Sequence, residues 1–286
     1  MKNHPLLRIV TVAFNPGPDL ASMAASLENA TSSPYELVIV DNGSDPTVVD
    51  DVARRFGAQV IRTGENLGYG RAANLGLADA TSEWGVVVNP DVVFDRGSLD
   101  SMLFSAQSWP RGGAFGPLIL TEAGDVYPSA RRFPRLVTGI GHAVLLRVWE
   151  GNPFSRAYRQ ASSIDDEHPV DWLSGACLLV RMNAFREIGG FDESYFMFFE
   201  DTQLGEQLKT AGWQSVYLPL ATIRHEQGSS WKDRPATMLR AHHHSAAHYL
   251  DGVYSSPAQA PLRLALRGAL WLRGELQVVL SRFKRG

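Results

Sequence analysis

Four acids and a histidine stand in strings that can carry chemistry. Asp41-Asn42-Gly43-Ser44 closes an apolar run. An aspartate at a strand end can accept the imide N–H of a uracil or thymine ring, although alone such a string more often makes only a turn. Asn89-Pro90-Asp91 closes another run; the proline keeps Asn89 extended and stops the ladder, presenting Asp91 at the sheet edge. Hard cations such as Mg2+ or Mn2+ bind through one or two carboxylates plus substrate phosphate. His225, after a short strand, can complete such a site with a neutral imidazole. Glu200 and Asp201 precede a helical pattern. One of them can cap that helix, or act as a general base sheltered by Phe196, Met197, Phe198 and Phe199.

Two other patterns compete. Gly68-Tyr69-Gly70-Arg71-Ala72-Ala73 fits G-x-G-x-x-A, with Asp91 about twenty residues on, as in a Rossmann-type NAD(P)-dependent oxidoreductase. Against it, the loop lies in the third β-α unit, Thr63 to Leu67 intervene after the strand, and the other acidic loop ends go unexplained. His242, His243, His244 and His248 share one helix, with His244 and His248 at zinc-binding spacing, but the glutamate of a metalloprotease motif is missing. Substrate contacts or packing account better for these histidines.

The elements that must hold these residues alternate. Leu6–Phe14, Tyr35–Val40, Ala58–Arg62 and Trp84–Val88 read as strands; Asp19–Asn29, Thr47–Phe56 and Gly70–Ala80 read as helices. Continuous apolar strands in β-loop-α units predict a parallel sheet covered by helices, with ligands at the carboxyl ends of the strands. Asp41, the Gly64–Gly70 loop and Asp91 all fall there. Residues 128–168, rich in arginine, proline and aromatics, read as a long excursion. Trp172–Arg181 then resumes as strand, Asp201–Ala211 as helix, and residues 214–225 as two short strands. Pro235–Leu250 is a histidine-bearing helix, and the chain from Pro257 is a pair of basic amphipathic segments.

Bulk properties narrow the class. With 286 residues, 44% hydrophobic and a formal charge of −3, the chain reads as an ordinary globular protein with no electrostatic case for nucleic acid. One cysteine, Cys177, excludes an intrachain disulfide and fits a reducing cytosol. No signal peptide and no apolar run of spanning length is expected. From Pro257 on, six basic residues face Glu275 alone, among leucines and Trp271. This predicts a helix lying in an anionic membrane interface rather than crossing it.

Taken in order, several motifs resemble the inverting family 2 glycosyltransferases of GT-A fold. They are Val10–Asn15, Asp41–Ser44, Asn66–Gly70, Asn89–Asp91, Trp172–Gly175, Gly189–Asp192, Glu200-Asp201 and His225. Phe115–Ile119, Val126–Arg131, Ala157–Gln160 and Arg240–Ser245 narrow the likeness to rhamnosyltransferases of arabinogalactan-linker, hence cell-wall, synthesis. The resemblance implies a mostly parallel α/β sheet in a catalytic domain over 1–230: a Rossmann-like nucleotide-sugar half (1–125), an acceptor and catalytic half (126–230), and a helical extension over 231–286. It implies dTDP-L-rhamnose as donor, bound by Thr11, Phe14, Asn15, Asp41, Asn42, Ser44, Asn66, Gly68, Arg71, Asn89 and Asp91. Mg2+ or Mn2+ would sit on Asp91 and His225. The acceptor, a lipid-linked N-acetylglucosaminyl diphosphate, would meet Arg131, Arg132, Trp172, Ser174 and Gly175, at the inner face of the cell membrane. Asp201 would be the base, with Glu200 the alternative. Another family 2 hexosyltransferase with a different sugar nucleotide stays open, as does the oligomeric state. One departure stands out: the family's usual Asp-x-Asp metal motif begins here with Asn89, and the loop at Asp45-Pro46 is short.

Overall fold

A computed structural model describes residues 7–44, 46–135, 165–225 and 235–283. Asp45, most of the excursion and the motif Ala157–Gln160 lie outside the described residues.

The first four strands are β1 (Leu7–Ala13), β2 (Tyr35–Asp41), β3 (Gln59–Arg62) and β4 (Trp84–Val88). They run parallel in the order β3-β2-β1-β4. Because strand side chains alternate, each strand feeds two cores. Ile9, Ile39 and Val86 face one side, against Leu20, Met23 and Leu27 of α1 (Asp19–Ala30) and Val49 of α2 (Pro46–Phe56). Val10, Val38 and Val87 face the other, against Ala72, Ala73 and Leu77 of α3 (Tyr69–Leu77). On β1, β2 and β4 both faces are covered, so these strands need no polar face, while β3 at the sheet edge stays half exposed.

The parallel order stops at β4. Past it come β5 (Val92–Phe94), α4 (Ser98–Gln107), β6 (Gly112–Leu120), β7 (Val126–Tyr127), β8 (Ala130–Arg131), β9 (His168–Val170), β10 (Trp172–Leu173), β11 (Cys177–Arg181), α5 (Met182–Glu187), α6 (Glu200–Thr210) and β12 (Gln214–His225). The sheet continues β4-β11-β6-β12-β5, with β11 antiparallel to both β4 and β6 and β12 parallel to β6. This direction has a functional result. The start of an antiparallel strand lies beside the end of its neighbour, so Ala176 accepts from the Asn89 amide at 2.9 Å.

Three segments differ from the sequence reading. The strand expected over Trp172–Arg181 breaks into β10, which pairs with β8 in a separate ribbon, and β11 in the main sheet. The break falls where Ser174 donates to Ser129 O and Gly175 to a side chain, not to a ladder. Residues 214–225 form one strand, its register slipping between Leu218 and Thr222. The tail is a 3-10 turn (Pro257–Gln259) and one long helix, α8 (Ala260–Phe283), packed on α7 (Pro235–Val253).

Gly76 sets how closely α3 approaches the sheet: a Cβ there would stand 2.3 Å from Val10 Cγ1 and 3.0 Å from Val40 Cγ2. Alanine is the better helix former by about 1 kcal/mol, yet overpacking costs about 1–3 kcal/mol. Gly76→Ala is therefore expected to lower stability by roughly 1 kcal/mol or more, read from the urea midpoint at unchanged slope.

Candidate active site

Every group gathered here comes from the carboxyl edge of the parallel strands or from a segment brought to it. At the end of β2, Asp41 is buried. Its Oδ1 accepts from the Ser44 amide at 2.9 Å and its Oδ2 from Arg62 Nη1 at 2.9 Å. Each oxygen keeps acceptor capacity. Asn42 ties the next loop down: its Oδ1 accepts from the Leu67 amide at 2.9 Å and its Nδ2 donates to Asn66 Oδ1 at 2.9 Å. Asn66 Oδ1 also takes the Gly68 amide at 3.0 Å, and Ser44 Oγ takes the Asn15 amide at 2.8 Å. The ends of β1, β2 and β3 thus form one polar network. Thr11 is fully buried inside β1, its hydroxyl without a partner, while Phe14 is half-buried and Asn15 exposed. Arg71 points outward, 3.6 Å from Glu193.

The glycines of Gly68-Tyr69-Gly70 serve close packing. At Gly68, φ is +86° and a Cβ would meet Phe196 O at 2.2 Å; at Gly70 a Cβ would meet Phe191 Cβ at 3.0 Å. Protein fills the space that a dinucleotide pyrophosphate would need, which removes the main support for the oxidoreductase reading.

A second cluster forms where β12 runs beside β5. Pairing of His225 with Val92 brings the ring to the residue just before that strand. His225 Nε2 is 3.1 Å from Asp91 Oδ1 and 3.4 Å from Asn89 Nδ2, and both Asp91 and His225 side chains are largely buried. One carboxylate and one imidazole converging on a point fit a divalent cation that takes its other ligands from a diphosphate and water. Among the described residues no group of three His, Cys, Asp or Glu offers a complete protein cage.

The third cluster holds the paired acids. Phe198 and Phe199 both take φ of 67°, a left-handed conformation that costs a non-glycine residue about 1–2 kcal/mol. Ser245 donates to Met197 O at 2.8 Å, and Phe199 packs against His242 and Tyr249. So held, the turn opens α6 with Glu200 and Asp201 in its first turn. Asp201 accepts from the amides of Gly175 (3.0 Å) and Thr202 (2.7 Å), whereas buried Glu200 Oε2 has no partner. Burial raises Glu200 well above the carboxylate range, and the Asp201 charge adds to that. Burial raises Asp201 as well, but those two amides and the Arg131 charge pull it back. The environments differ: the two amides and the Arg131 charge favour the anion on Asp201, while burial without a partner for Oε2 favours the protonated acid on Glu200.

Arg131 is pinned rather than free. It donates to Pro128 O (2.6 Å) and to the Tyr127 hydroxyl (2.8 Å), and its guanidinium lies over the Tyr127 and Trp172 rings. Tyr127 in turn meets the His225 ring edge-on, linking the second and third clusters. Arg132 is exposed and lines a neighbouring cleft with Asp171 and Lys209. Trp172 is buried, Gly175 gives its amide to Asp201, and Ser174 Oγ beside it accepts from the Ala176 amide at 3.4 Å. Of the helix histidines, His243 is buried with Nδ1 2.8 Å from Leu239 O, and His248 meets Ser194. Those two serve packing. Cys177 is buried among apolar groups, which pushes its thiol pKa up and leaves it inert.

Arg62, Tyr69 and Tyr127 also belong to the site: Tyr69 and Tyr127 fall inside motifs named above without a role of their own, and Arg62 falls in none. Arg62 ends β3 directly opposite Asp41, a register that strand counting alone could have found. The Tyr69 hydroxyl donates to Gly175 O at 2.7 Å across a large sequence gap, for which the sequence carries no signal.

Comparison with known proteins agrees with this architecture. The chain is 46% identical to the N-acetylglucosaminyl-diphospho-decaprenol L-rhamnosyltransferase of Mycobacterium tuberculosis, over 96% of this chain and 93% of that one. It is 27% identical to rhamnosyltransferase WbbL of Escherichia coli K12, over 67% of this chain and 72% of that one. A crystal structure of GalNAc-T7 with UDP, GalNAc and Mn2+ superposes with a TM-score of 0.58 at 15% identity, over 79% of this chain and 44% of that one. Mannosyltransferase PcManGT of Pyrobaculum calidifontis, in complex with GDP-Man and Mn2+, gives 0.57 at 15% identity, over 96% and 72%. These two share its fold, the GT-A arrangement of a mixed sheet flanked by helices. The family model for glycosyl transferase family 2 matches residues 8–189, and with the near full-length relative it establishes that the chain belongs to glycosyl transferase family 2.

Proposed function

We propose that the chain transfers L-rhamnose from dTDP-L-rhamnose to N-acetylglucosaminyl-diphospho-polyprenol with inversion, in cell-wall linker synthesis. The carrying observation is the approach of two unlike acidic sites: Asp91 with His225, and one strand away Asp201 on the Gly175 amide. The rhamnose and the acceptor are supported by the near full-length likeness to the mycobacterial enzyme. A peripheral position at the inner membrane face fits such an acceptor; among the described residues no helix is long and apolar enough to cross a membrane.

On the donor side, Asp41 takes the imide N–H of the thymine ring. Asn15, Asn42, Ser44, Asn66 and Gly68 shape the nucleoside pocket, with Thr11 and Phe14 behind it, Arg71 at its rim and Asn89 toward the ribose. Asp91 and His225 would hold Mg2+ or Mn2+, whose charge offsets that developing on the leaving diphosphate. Across from them, ionised Asp201 takes the proton of the acceptor hydroxyl as its oxygen attacks the anomeric carbon and the glycosyl–phosphate bond breaks. Neutral Glu200 keeps a second negative charge out of the pocket. Trp172, Ser174 and Gly175 border the acceptor sugar; Arg131 and Arg132 face its diphosphate, Arg131 also sustaining the charge on Asp201.

Asp201→Asn should keep donor affinity and lose about 10²–10⁴-fold in turnover, while Glu200→Gln keeps most of it. Collapse in Glu200→Gln alone would move the base to Glu200. The same pair sets a stability trend. A folded-state pKa raised above the unfolded value contributes stability that is lost as pH rises through it, so Glu200→Gln should gain on the parent from mildly acid to alkaline pH in denaturant titrations.

Asp91→Ala should abolish the Mn2+ dependence of dTDP-sugar binding in calorimetry, and His225→Ala weaken it. Undiminished metal-dependent binding in Asp91→Ala would remove the cation from this pair.

Arg132→Ala should raise the acceptor KM and leave that of the donor alone. Arg131→Met should in addition displace the acid limb of the pH–rate profile upward, because Asp201 loses a neighbouring positive charge. An unmoved acid limb would confine Arg131 to acceptor binding.

A further inference from the structure

We propose that the outward face of α8 is a docking surface for an anionic lipid bilayer, and that it holds the active site at a fixed attitude to the membrane. The proposal deepens the reading of the acceptor as lipid-linked, and its physical basis is a helix whose apolar surface extends well beyond the side it packs. One face is used. Leu266, Leu270, Gly274 and Val278, at four-residue spacing, form the less exposed side toward α7, where a Cβ on Gly274 would stand 3.2 Å from the His243 ring. Ion pairs Arg240–Glu275 and Arg267–Asp251 clamp the two helices together. Apolar residues flanking and facing away from that side meet water: Leu264, Trp271, Leu272, Leu276 and Val279 are 47–69% exposed. An apolar helix face of this kind marks an interaction surface.

Charge selects the occupant. The segment from Pro257 carries a net +5 on a chain that is −3 overall. Arg273 projects into solvent beside the apolar face, and the tail ends with further basic residues. A second copy would bring these cations together; an anionic headgroup layer neutralises them while its acyl boundary takes the leucines and the tryptophan. The docking helix is also tied to the catalytic pair. α7 holds the segment 194–199 through His248 on Ser194, Ser245 on Met197 O and Tyr249 on Phe199, and that segment opens directly into Glu200 and Asp201.

The test is flotation of the full chain with vesicles of equal phosphatidylcholine and phosphatidylglycerol, against pure phosphatidylcholine. Turnover on a water-soluble acceptor with a short alkyl chain is measured in parallel. The expected result is flotation with the anionic vesicles only, fading with salt. W271Q/L272Q/L276Q should lose flotation, keep turnover on the short acceptor and lose it on the long-chain acceptor in vesicles. Flotation of the triple variant equal to the parent, or a parent that stays with the soluble fraction, overturns the docking surface. So does a parent that sediments as a dimer where the triple variant is a monomer. Absence of rhamnosyl transfer to either acceptor, with flotation intact, would instead refute the proposed reaction.

Discussion

The pairing of β11 against β4 is the constraint on which the site depends. Parallel strands alone would put Asp41 and Asp91 at one edge and leave the acids of α6 elsewhere. A reversed strand beside β4 brings its own beginning to that edge, so Gly175 and Ala176 lie next to Asn89. From there the Gly175 amide reaches Asp201. On the far side of β11, β6 carries β12, whose last residue returns to Asp91. Three segments remote in sequence meet because one strand runs backwards.

Burying two neighbouring carboxyls is costly, and the fold meets the cost unequally. Asp201 receives the amides of Gly175 and Thr202 and has the stacked Arg131 nearby, whereas burial and the Asp201 charge raise Glu200, whose Oε2 has no partner. Identical chemistry at adjacent positions is thus biased apart: burial pushes Glu200 toward the neutral acid, and on Asp201 hydrogen bonds oppose that push and favour the anion. The strained Phe198–Phe199 turn belongs to the same arrangement. It persists because the aromatic and hydroxyl contacts from α7 hold it, and a relaxed turn would begin α6 at another angle.

Much of this was legible in the residues. The strands β1, β2 and β4 were readable because burial on both faces demands largely apolar runs, β3 by the short run of Val60 and Ile61 at a half-exposed edge, and Asp41 and Asp91 because they end apolar runs. The ordered motif set carried the family. The break between β10 and β11 was not readable: Trp172–Arg181 is apolar enough for one strand, and contacts remote in sequence, Ser174 to Ser129 O and Gly175 to the Asp201 carboxylate, divert its backbone. Arg62 and Tyr127 look in sequence like any surface cation and ring; strand register and an aromatic contact bring them to the site. Periodicity gave a basic, amphipathic helical tail but read it as two segments, and which side packs depended on Gly274 fitting beneath His243.

The position of β11 also orders events during synthesis. The strands β3, β2, β1 and β4 are complete once the chain has passed Val88, and can pair as each emerges. The neighbour of β4, however, begins at Cys177. Until then a fully apolar strand presents an unpaired edge, although β6, its second neighbour in the finished sheet, has already been made. Non-local closure of this kind is slow, and an open apolar edge invites pairing with other chains. On a ribosome the nascent chain must wait for nearly ninety further residues with that edge unprotected, which makes the interval before β11 emerges the point at which a chaperone has most to guard.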